Sequence, residues 1–376
     1  MTAASASAIS RADFGLMQST LQRLHSADDS TLDVLATGMH LSAAHGHTVD
    51  EICAAGLPLR AEIPVPLEPA SGATMARNIG LMIPRFVEAL QADAPDLVLL
   101  LGDRGEMLAG AIAALHLNLP IMHIHGGERS GTVDEPVRHA ISKLSHYHCV
   151  ATEHSRERLL RMGESADNVR VTGAPGLDGL QALAAEPRAA WCADMRLDPA
   201  RPVALMVFHP VLQEAAQAGE SARTILAALA ELGCQVVALM PNSDAGSDPI
   251  RAVLAAHRDQ AGVRVFLHLP RARFAALMAG CDVMIGNSSA GIIEAASFGT
   301  PVLNLGSRQD LRERNANVQD LPLEQVRIAE ALALALASGR APAHNVYGDG
   351  RAGERIQQFV RECAIGTSLR PKSNAY

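Results

Sequence analysis

Several ionisable side chains follow apolar segments in the first half of the 376-residue chain. They are Asp103, Arg104, His125, Glu128, Asp134, Arg138 and His139. Because carboxylates and imidazoles are the side chains that most often transfer protons in enzymes, this grouping indicates general acid–base chemistry. The carboxylates and His125 are the catalytic candidates, and the two arginines and His139 are candidates for positioning a substrate. A carboxylate at Asp103 or Asp134 could instead cap the helix that follows it.

Small and hydroxyl-bearing residues follow an apolar run in the second half. The run Val283–Ile285 leads into Gly286–Gly291 and then into a helical segment that contains Glu294. Backbone N–H groups and hydroxyls at such a turn can bind a diphosphate, and the carboxylate can accept hydrogen bonds from ribose hydroxyls. The alternative is that Ser288 is an ordinary N-cap of a buried helix. The candidates for nucleotide contact are Ser288, Ser289, Gly291, Glu294 and, in the loop after the next apolar run, Arg308.

Histidines add a further catalytic candidate and raise the question of a metal. His209 follows the apolar run Val203–Val207 and would face the same cleft from the second half, either as a catalytic group or as a packing residue. Alternation along a strand would place His123 and His125 on one face, where imidazoles can bind zinc. Since the chain has 15 histidines and no third ligand at an obvious spacing, we expect no metal site.

Short apolar runs alternate with helix-length amphipathic segments along the chain. The runs are Leu32–Ala36, Leu97–Leu101, Pro120–Ile124, His148–Ala151, Val203–Val207, Val236–Leu239, Val263–Leu267, Val283–Ile285 and Val302–Leu305. The predicted helices are Ala73–Ala92, Glu106–Leu115, Glu135–Ser145, His154–Arg161, Ser221–Leu232, Arg271–Ala279 and Ala290–Ser297. Nearly continuous apolar runs are typical of parallel strands buried on both faces. Repeated strand–helix–strand units predict an α/β fold with doubly wound, Rossmann-like sheets.

Prolines divide these units into two sets. Pro187, Pro199 and Pro202 lie within or just after the stretch Leu183–Arg201, and this density predicts a linker. We therefore expect an N-terminal domain over residues 1–185 and a second domain over residues 186–353. Ligand groups would lie in the cleft between the domains, at the carboxyl ends of the strands.

Composition excludes several classes of protein. The formal net charge is −8 and 19% of the residues are charged, so we expect no nucleic-acid partner. No apolar run reaches the ~18 residues of a membrane span, so no membrane association is expected. The first ten residues lack the pattern of a secretion signal. The six cysteines form no CxxC pair, which favours reduced thiols in a cytoplasmic protein.

Motifs in a fixed order along nearly the whole chain resemble those of one known enzyme family. They are Ser10–Gly15, Thr37–Ser42, Leu101–Arg104, His123–Glu128, Ser130–Asp134, Arg138–His146, His209-Pro210, Pro241–Asp244, Gly286–Ser289 and Asn345–Gly350. In order and spacing they are similar to the hydrolysing UDP-N-acetylglucosamine 2-epimerases of sialic-acid and legionaminic-acid biosynthesis.

The resemblance implies a GT-B fold, with two Rossmann-like domains facing a cleft and a C-terminal helix over residues 354–376 that crosses back to the first domain. It implies anti-elimination of the nucleoside diphosphate across C1–C2 and addition of water to the resulting glycal. Asp103 and Asp134 would be the acid–base carboxylates. The residues implied to contact the nucleotide or its diphosphate are Arg11, His209, Ser288, Ser289, Glu294 and Arg308. A UDP-sugar substrate, no metal or organic cofactor, and a homodimer or homotetramer are also implied.

This sequence departs from the family pattern at two places. Members of the sialic-acid branch carry a glutamate where this chain has His125, so either His125 takes over the acid–base role, with Glu128 a less direct candidate, or the substrate differs. A 2,4-diacetamido-6-deoxy sugar nucleotide is the alternative substrate, since branches that act on it resemble this HxHGG pattern. The second departure is Met1–Ile9, which is Ala/Ser-rich and weak as the expected first strand, and the role of Arg11 depends on it.

Three other functions are compatible with the same cleft. A glycosyltransferase would need an acceptor groove, and a non-hydrolysing epimerase would return the intact nucleotide-sugar. A nucleotide-sugar sensor would bind its ligand without turnover. The carboxylates Asp103 and Asp134 argue against the sensor, because binding alone does not require them.

Overall fold

Two parallel β-sheets form the framework of the chain, whose computed structural model describes residues 4–9, 11–258, 260–363 and 372–375, with side chains from Phe14 onward. The strands of the first sheet are β1 (Ala4–Ile9), β2 (Val34–Thr37), β3 (Leu59–Ile63), β4 (Leu97–Leu101), β5 (Ile121–Ile124), β6 (Tyr147–Val150) and β7 (Val169–Val171). Those of the second are β8 (Val203–Val207), β9 (Gln235–Leu239), β10 (Val263–Phe266), β11 (Val283–Gly286), β12 (Val302–Leu305) and β13 (Val318–Leu321). The strand orders are β3-β2-β1-β4-β5-β6-β7 and β10-β9-β8-β11-β12-β13. Both are the doubly wound, Rossmann-like order that the sequence predicts.

Helices cover both faces of the sheets. They are α1 (Arg11–His25), α2 (Val49–Ala54), α3 (Gly72–Ala92), α4 (Gly105–His116), α5 (Asp134–Leu144), α6 (Glu153–Arg161), α7 (Leu180–Leu183), α8 (Arg188–Asp194), α9 (Ala218–Glu231), α10 (Ser247–His257), α11 (Arg271–Gly280), α12 (Ser289–Ile293), α13 (Gln325–Ser338) and α14 (Ala352–Glu362). In β4, Leu97 and Leu99 pack in the core with α1 and α14, whereas Val98 packs in the core with α3 and α4. Burial on both faces explains why this strand is a continuous apolar run. None of the described helices is long and apolar enough to cross a bilayer.

The first strand differs from the sequence-based expectation. The sequence predicts a weak strand at Met1–Ile9, whereas β1 lies at the centre of its sheet and pairs in parallel with both β2 and β4. The backbone hydrogen bonds of a parallel ladder do not depend on side-chain size, so a chain of small residues can fill this position. The side chain of Arg11, at the start of α1, lies outside the described part of the chain, and its nucleotide contact stays a prediction.

The predicted linker contains a helix that packs into the second core. Within Leu183–Arg201, α8 carries Trp191, which is fully buried beside α11. A Cβ on Gly280 would lie only 2.9 Å from Cζ2 of this indole, so the two helices pack closely. Pattern reasoning missed α8 because its buried residues, Trp191 and Cys192, are adjacent and form no periodic apolar face. The domain boundary near residue 185 stays a prediction.

The last helix packs against α1 but is shorter than expected. Ile356, Phe359 and Val360 of α14 belong to the same core as α1. The helix ends at Glu362, with Cys363 as its C-cap in an extended conformation, whereas the expected helix runs over residues 354–376. Residues 364–371 lie outside the described part of the chain.

The innermost strands position the candidate residues. In each sheet the strand order reverses between two central strands, β1 and β4 or β8 and β11. In such folds ligands bind in the crevice beyond the carboxyl ends of these strands. Asp103 follows β4, His209 follows β8 and Ser288 follows β11. The fold therefore brings candidates from both halves of the chain to one crevice.

Candidate active site

One cleft collects most of the predicted residues. It encloses about 860 Å³, including space open to solvent. It is lined by Leu16, Met39, Leu101, Gly102, Asp103, Arg104, His125, Glu128, Asp134, Arg138, His209, Asn242, Ser288, Ser289, Ile293, Arg308 and Arg312. The carboxylates of the first sheet therefore share a cavity with the Ser288–Ser289 turn of the second.

A buried arginine holds Asp103 in place. Arg138 Nη2 donates to Asp103 Oδ2, and Nη1 donates to the Glu128 carbonyl oxygen (3.0 Å) and to Ser130 Oγ (3.3 Å). The Arg138 side chain is 1% exposed, whereas Asp103 is 21% exposed and reaches the cleft. Arg104 is the N-cap of α4 and no side chain caps that helix, so the alternative that Asp103 is a helix cap is wrong. Arg138 therefore positions Asp103 as well as lining the cleft.

Asp103 and Asp134 differ in their proton affinity. Burial opposes ionisation of Asp103, but the charges of Arg138 and Arg312 outweigh it and lower the pKa of this carboxyl. Burial and the nearby Asp103 charge raise the pKa of Asp134. Two carboxyl groups whose pKa values are pushed in opposite directions can serve as a fixed anion and a proton carrier in one site.

Asp134 connects the first half of the chain to a cation of the second. It is the first residue of α5, whose N-cap is Val133, so its side chain does not cap the helix. Arg308 Nη2 lies 3.9 Å from Asp134 Oδ2, and Arg308 Nη1 donates to the Asn287 carbonyl oxygen (3.1 Å). Arg308 therefore lies between the candidate proton carrier and the turn expected to bind a diphosphate.

A buried chain of contacts links His125 to the second half. His125 Nδ1 lies 2.5 Å from Glu128 Oε1, and Arg312 Nη1 lies 2.5 Å from Glu128 Oε2. Burial opposes ionisation of Glu128, but Arg312 and His125 outweigh it and lower its pKa to about 2. Glu128 is therefore an anion that orients His125, and Nε2 is the ring nitrogen left for a ligand. This arrangement favours His125 as the proton-transferring group and Glu128 as its positioning partner.

His123 and His125 do not share a face, contrary to the expectation from strand alternation. β5 ends at Ile124, and His125 has φ 64°, a left-handed conformation that redirects the chain. His125 lines the cleft, whereas His123 is fully buried and its Nε2 donates to the Gly102 carbonyl oxygen (2.7 Å). His123 thus fixes the loop before Asp103. Among the described residues, no three His, Cys, Asp or Glu side chains lie close enough to hold a metal ion.

The neutral state of His123 makes stability depend on pH. Burial lowers the pKa of His123 to about 3. The unfolded chain takes up this proton below about pH 6.5, whereas the folded chain takes it up only near pH 3, so stability falls as pH decreases through this window. When the pH is lowered from 7.5 to 5.5, the free energy of unfolding should decrease in the parent protein by roughly 1 kcal/mol more than in His123→Gln. Urea unfolding at the two pH values measures this difference.

The control for this prediction is the exposed His154, whose side chain is 69% exposed. His154→Gln should keep the pH dependence of the parent protein. An identical pH dependence in His123→Gln and the parent would mean that folding does not lower the pKa of His123.

The turn after β11 is built differently from the predicted helix N-terminus. Gly286 has φ 134°, and a Cβ there would lie 2.1 Å from Val207 O, so only glycine lets the two central strands end side by side. Ser288 caps α12, as the N-cap alternative predicts, but its Oγ only accepts there, from Ala290 N–H, so the hydroxyl hydrogen can still donate to a ligand. Because α12 has only five residues, its dipole is small. A diphosphate here would depend mainly on the hydroxyls of Ser288 and Ser289 and on the charge of Arg308.

Two of the predicted residues, Gly291 and His139, line neither the cleft nor the cavity that adjoins it beside Ser288. In α12, Gly291 faces the sheet, where a Cβ would lie 3.0 Å from Val302 Cγ1, so this glycine allows close packing of helix on strand. His139 comes five residues after Asp134, about 140° further around α5. Its Nε2 lies 3.8 Å from Glu135 Oε1. We therefore retain neither Gly291 as a nucleotide contact nor His139 as a substrate-positioning residue.

A second cavity, of about 960 Å³ including open solvent, adjoins the cleft beside Ser288. Glu294 lines it and is 3% exposed, with Oε2 2.5 Å from Arg271 Nη1. Its apolar lining includes Leu239, Met240, Leu269 and Phe274. An apolar wall beside a buried carboxylate suits a nucleoside, with the base against the wall and the ribose hydroxyls at Glu294.

His209 lies on the boundary between the cleft and the second cavity. It lines both, together with Ser288 and Ser289. Its backbone N–H donates to Asn287 Oδ1 (2.7 Å), and Asn287 Nδ2 donates to the His209 carbonyl oxygen (2.8 Å). This position on the nucleotide side favours contact with the diphosphate over the catalytic role expected for His209.

Sequence reasoning missed Arg312 and Arg271. Arg312 lies in an irregular segment after β12, where no periodic pattern marks a residue. Arg271 opens α11 after a proline, a position typical of an ordinary surface residue. Arg104 is a further link between the two halves, since its Nη2 lies 3.2 Å from Oδ1 of Asp244, the last residue of the motif Pro241–Asp244. The cleft thus contains more arginine than the motifs indicate.

Comparison with known proteins identifies the family. The model of the UDP-N-acetylglucosamine 2-epimerase family matches residues 22–361. The chain belongs to this family of enzymes. It is 46% identical to a UDP-N,N′-diacetylbacillosamine 2-epimerase (hydrolyzing) from Legionella pneumophila over 97% of both chains. It is 31% identical to a UDP-N-acetylglucosamine 2-epimerase from Neisseria meningitidis, over 93% of this chain and 92% of that protein.

Solved structures confirm the GT-B fold of the enzyme. The crystal structure of the Neisseria meningitidis UDP-N-acetylglucosamine 2-epimerase bound to UDP-N-acetylglucosamine has a TM-score of 0.80 at 20% identity, covering 96% of this chain and 100% of that one. The Methanocaldococcus jannaschii UDP-N-acetylglucosamine 2-epimerase in complex with UDP-N-acetylglucosamine and UDP has a TM-score of 0.78 at 16% identity, with 96% and 100% covered. At these identities the likeness concerns the fold of the two Rossmann-like domains.

Proposed function

We propose that the enzyme hydrolyses a UDP-2-acetamido sugar with inversion at C2, releasing UDP and the free 2-epimer. The observation that carries this proposal is the pair Asp103 and Asp134, whose pKa values are shifted in opposite directions in the cleft that also holds Ser288 and Arg308. Loss of the C2 proton and departure of the diphosphate from C1 involve adjacent carbons. Both kinds of group must therefore lie within reach of one sugar ring.

Similarity favours a diacetamido sugar as the substrate. The relative named for UDP-N,N′-diacetylbacillosamine is 46% identical, whereas the relative named for UDP-N-acetylglucosamine is 31% identical. His125, in place of the glutamate of the sialic-acid branch, agrees with this choice. We therefore propose UDP-N,N′-diacetylbacillosamine, a UDP-2,4-diacetamido-2,4,6-trideoxy sugar, as the substrate. UDP-N-acetylglucosamine is the second candidate, supported by the Neisseria relative.

Elimination is the first proposed step. A carbon acid is weak, so its proton is removed best by the carboxylate of higher proton affinity, which is Asp134 in its ionised form. The C2–H electron pair forms the C1–C2 double bond, and the C1–O bond breaks with its electron pair leaving on UDP. The cationic Arg308 and the hydroxyls of Ser288 and Ser289 stabilise the charge that develops on the diphosphate.

Hydration is the second proposed step. Inversion requires that a proton returns to C2 from the face opposite to its removal, so a second proton donor is needed. His125, oriented by Glu128, is the proposed donor. Protonation at C2 places positive charge at C1, which the ionised Asp103 stabilises, and water then adds its oxygen to C1 and releases a proton.

Product analysis tests the proposed function. The enzyme is incubated separately with UDP-N,N′-diacetylbacillosamine and with UDP-N-acetylglucosamine, and proton NMR follows both sugar and nucleotide. Release of UDP together with a free 2-epimer, faster from the diacetamido substrate, is the expected result. An intact epimerised nucleotide-sugar, transfer to an acceptor or tight binding without turnover would each contradict the proposal.

Glu294→Ala should weaken nucleotide binding more than it slows the chemical steps. Loss of hydrogen bonds to a charged group should raise the Kd for UDP about 10-fold. Isothermal titration calorimetry with UDP measures the change, and Glu324→Ala, at an exposed position, is the control. An unchanged Kd in Glu294→Ala would mean that Glu294 serves only as the partner of Arg271.

A further inference from the structure

We propose that Asn345 is a positioning residue for Glu294, the carboxylate assigned above to the ribose hydroxyls of the nucleotide. This role rests on the proposed function and deepens it, since it concerns how a nucleotide contact of that function is held in place. Asn345 opens the motif Asn345–Gly350, to which the proposed chemistry gives no part. Its side chain reaches the backbone of Ile293, which is 52 residues away along the chain and directly precedes Glu294.

The helix that carries the nucleotide contacts changes type at Glu294. The α-helix α12 ends at Ile293, and a 3₁₀ turn follows over Ala295–Phe298. The backbone N–H of Ser297 donates to the Glu294 carbonyl oxygen (3.0 Å), whereas in a continuous α-helix it would donate to that of Ile293. Glu294 has φ −97°, compared with about −63° in an α-helix. The direction of the Glu294 side chain therefore depends on where the α-helix stops.

Two asparagine amides supply the hydrogen-bond donors that stop it there. Asn345 Nδ2 donates to the Ile293 carbonyl oxygen (2.6 Å), and Asn315 Nδ2 donates to the Ile292 carbonyl oxygen (2.9 Å). Both isoleucines are buried, so their carbonyl groups need partners within the protein. The amides take the place of the backbone N–H groups four residues further on, and the α-helix ends directly before Glu294.

Asn345 is itself held by a turn at the start of its motif. Its Oδ1 accepts from the Tyr347 backbone N–H (3.0 Å), in the local turn that asparagine side chains favour. Tyr347 is 1% exposed, its hydroxyl donates to the Glu313 carbonyl oxygen (2.9 Å), and its own carbonyl oxygen accepts from Ala174 N–H (2.8 Å). Ala174 belongs to the first half of the chain, which supplies the carboxylates of the cleft. The amide of Asn345 is therefore fixed relative to both halves.

Glu294 is thus held at two points. Arg271 Nη1 lies 2.5 Å from Glu294 Oε2 and fixes the carboxylate, whereas Asn345 fixes the backbone that precedes it. Ile293 lines the cleft, and Glu294 lines the adjoining second cavity. Without the amide of Asn345, the Ser297 N–H can donate to the Ile293 carbonyl oxygen and continue the α-helix. Glu294 would then turn relative to the ribose, and UDP should bind less tightly.

Two variants remove the donor of Asn345 and keep its turn. In Asn345→Ser and Asn345→Asp, the side-chain oxygen can still accept from the Tyr347 N–H. Serine is too short to reach the Ile293 carbonyl oxygen, and an ionised aspartate has no donor to offer it. Each variant should raise the Kd for UDP about fivefold or more, measured by isothermal titration calorimetry. An increase in Asn345→Asp alone would be an effect of its charge and would overturn the inference.

The control lies in the same motif. Asp349→Asn loses an exposed ion pair with Arg355, which is far from α12 in the chain and touches neither cavity of the site. It should keep the parent Kd for UDP. Circular dichroism of each variant confirms that the affinity measured is that of a folded chain.

A double variant shows whether Asn345 acts through Glu294. In the Glu294→Ala background, Asn345→Ser should raise the Kd for UDP less than about twofold, because the group that it positions is already absent. A purely structural role would lower stability without this loss of additivity. An increase of about fivefold in both backgrounds, or an unchanged Kd in Asn345→Ser or in Glu294→Ala, would overturn the inference and leave the proposed hydrolysis intact. Failure of the parent enzyme to release UDP with a free 2-epimer would instead refute the proposed function itself.

Discussion

Asp134→Asn should lower kcat by about 10²–10⁴-fold while the Kd for UDP changes little. The substitution keeps the size of the side chain but removes the group that we propose takes the C2 proton. UDP binding should persist, because the residues assigned to the nucleotide, such as Ser288 and Glu294, lie on other elements. Steady-state kinetics with the preferred substrate and calorimetry with UDP measure the two effects separately.

The matched control for Asp134→Asn is Asp167→Asn, at an exposed turn of the same half of the chain. It should keep the parent rate. In the parent enzyme, kcat/KM should also decrease as the pH is lowered, because Asp134 must be ionised to take the C2 proton. This decrease should occur at a higher pH than for an ordinary carboxyl group, because burial and the charge of Asp103 raise the pKa of Asp134. A near-normal rate in Asp134→Asn would show that this residue only begins α5.

Arg312→Met should destabilise the enzyme by about 3–5 kcal/mol, because it leaves a buried carboxylate without its cation. The Arg312 side chain is 9% exposed and that of Glu128 is 4% exposed, and their ion pair joins the two domains. Without Arg312, the pKa of Glu128 should rise, and His125 should lose its fixed orientation. Urea denaturation followed by circular dichroism measures the stability, and kcat should fall as well.

The double variant Arg312→Met/Glu128→Gln distinguishes an uncompensated charge from lost packing. Removing both charges should restore most of the stability but not the activity, because His125 still lacks its carboxylate partner. Arg327→Met, in an exposed pair with Glu330, should cost less than about 0.5 kcal/mol and serves as the surface control. Equal stability losses in the single and double variants would argue against the buried ion pair.

The sheet strands were predictable wherever burial on both faces enforces an apolar run. Leu97–Leu101 and Val203–Val207 have the predicted bounds because each residue in them is buried. In contrast, β13 has no buried residue, so its sequence lacks that pattern. β1 is held by backbone pairing on both sides, which no side-chain pattern reveals. Sequence patterns therefore report burial rather than strand pairing.

The candidate site was predictable where a residue directly follows a central strand. Asp103, His209 and Ser288 follow this rule, because the carboxyl ends of the strands determine where the chain enters the crevice. The prediction that His123 and His125 share one face was wrong, because the left-handed backbone of His125 ends the alternation of the strand. Arg312 was not predicted, because its place in the cleft depends on an ion pair with Glu128, which is distant in sequence. Long-range charge pairing cannot be inferred from the local sequence.

Hydrolysis in D₂O shows whether side chains of this cleft exchange the C2 proton while UDP departs. The sugar released from UDP-N,N′-diacetylbacillosamine is analysed by proton NMR and mass spectrometry. We expect a free 2-epimer with one deuterium at C2 in each product molecule, formed together with UDP. Release of UDP with a sugar that keeps protium and its original configuration at C2 would contradict this expectation.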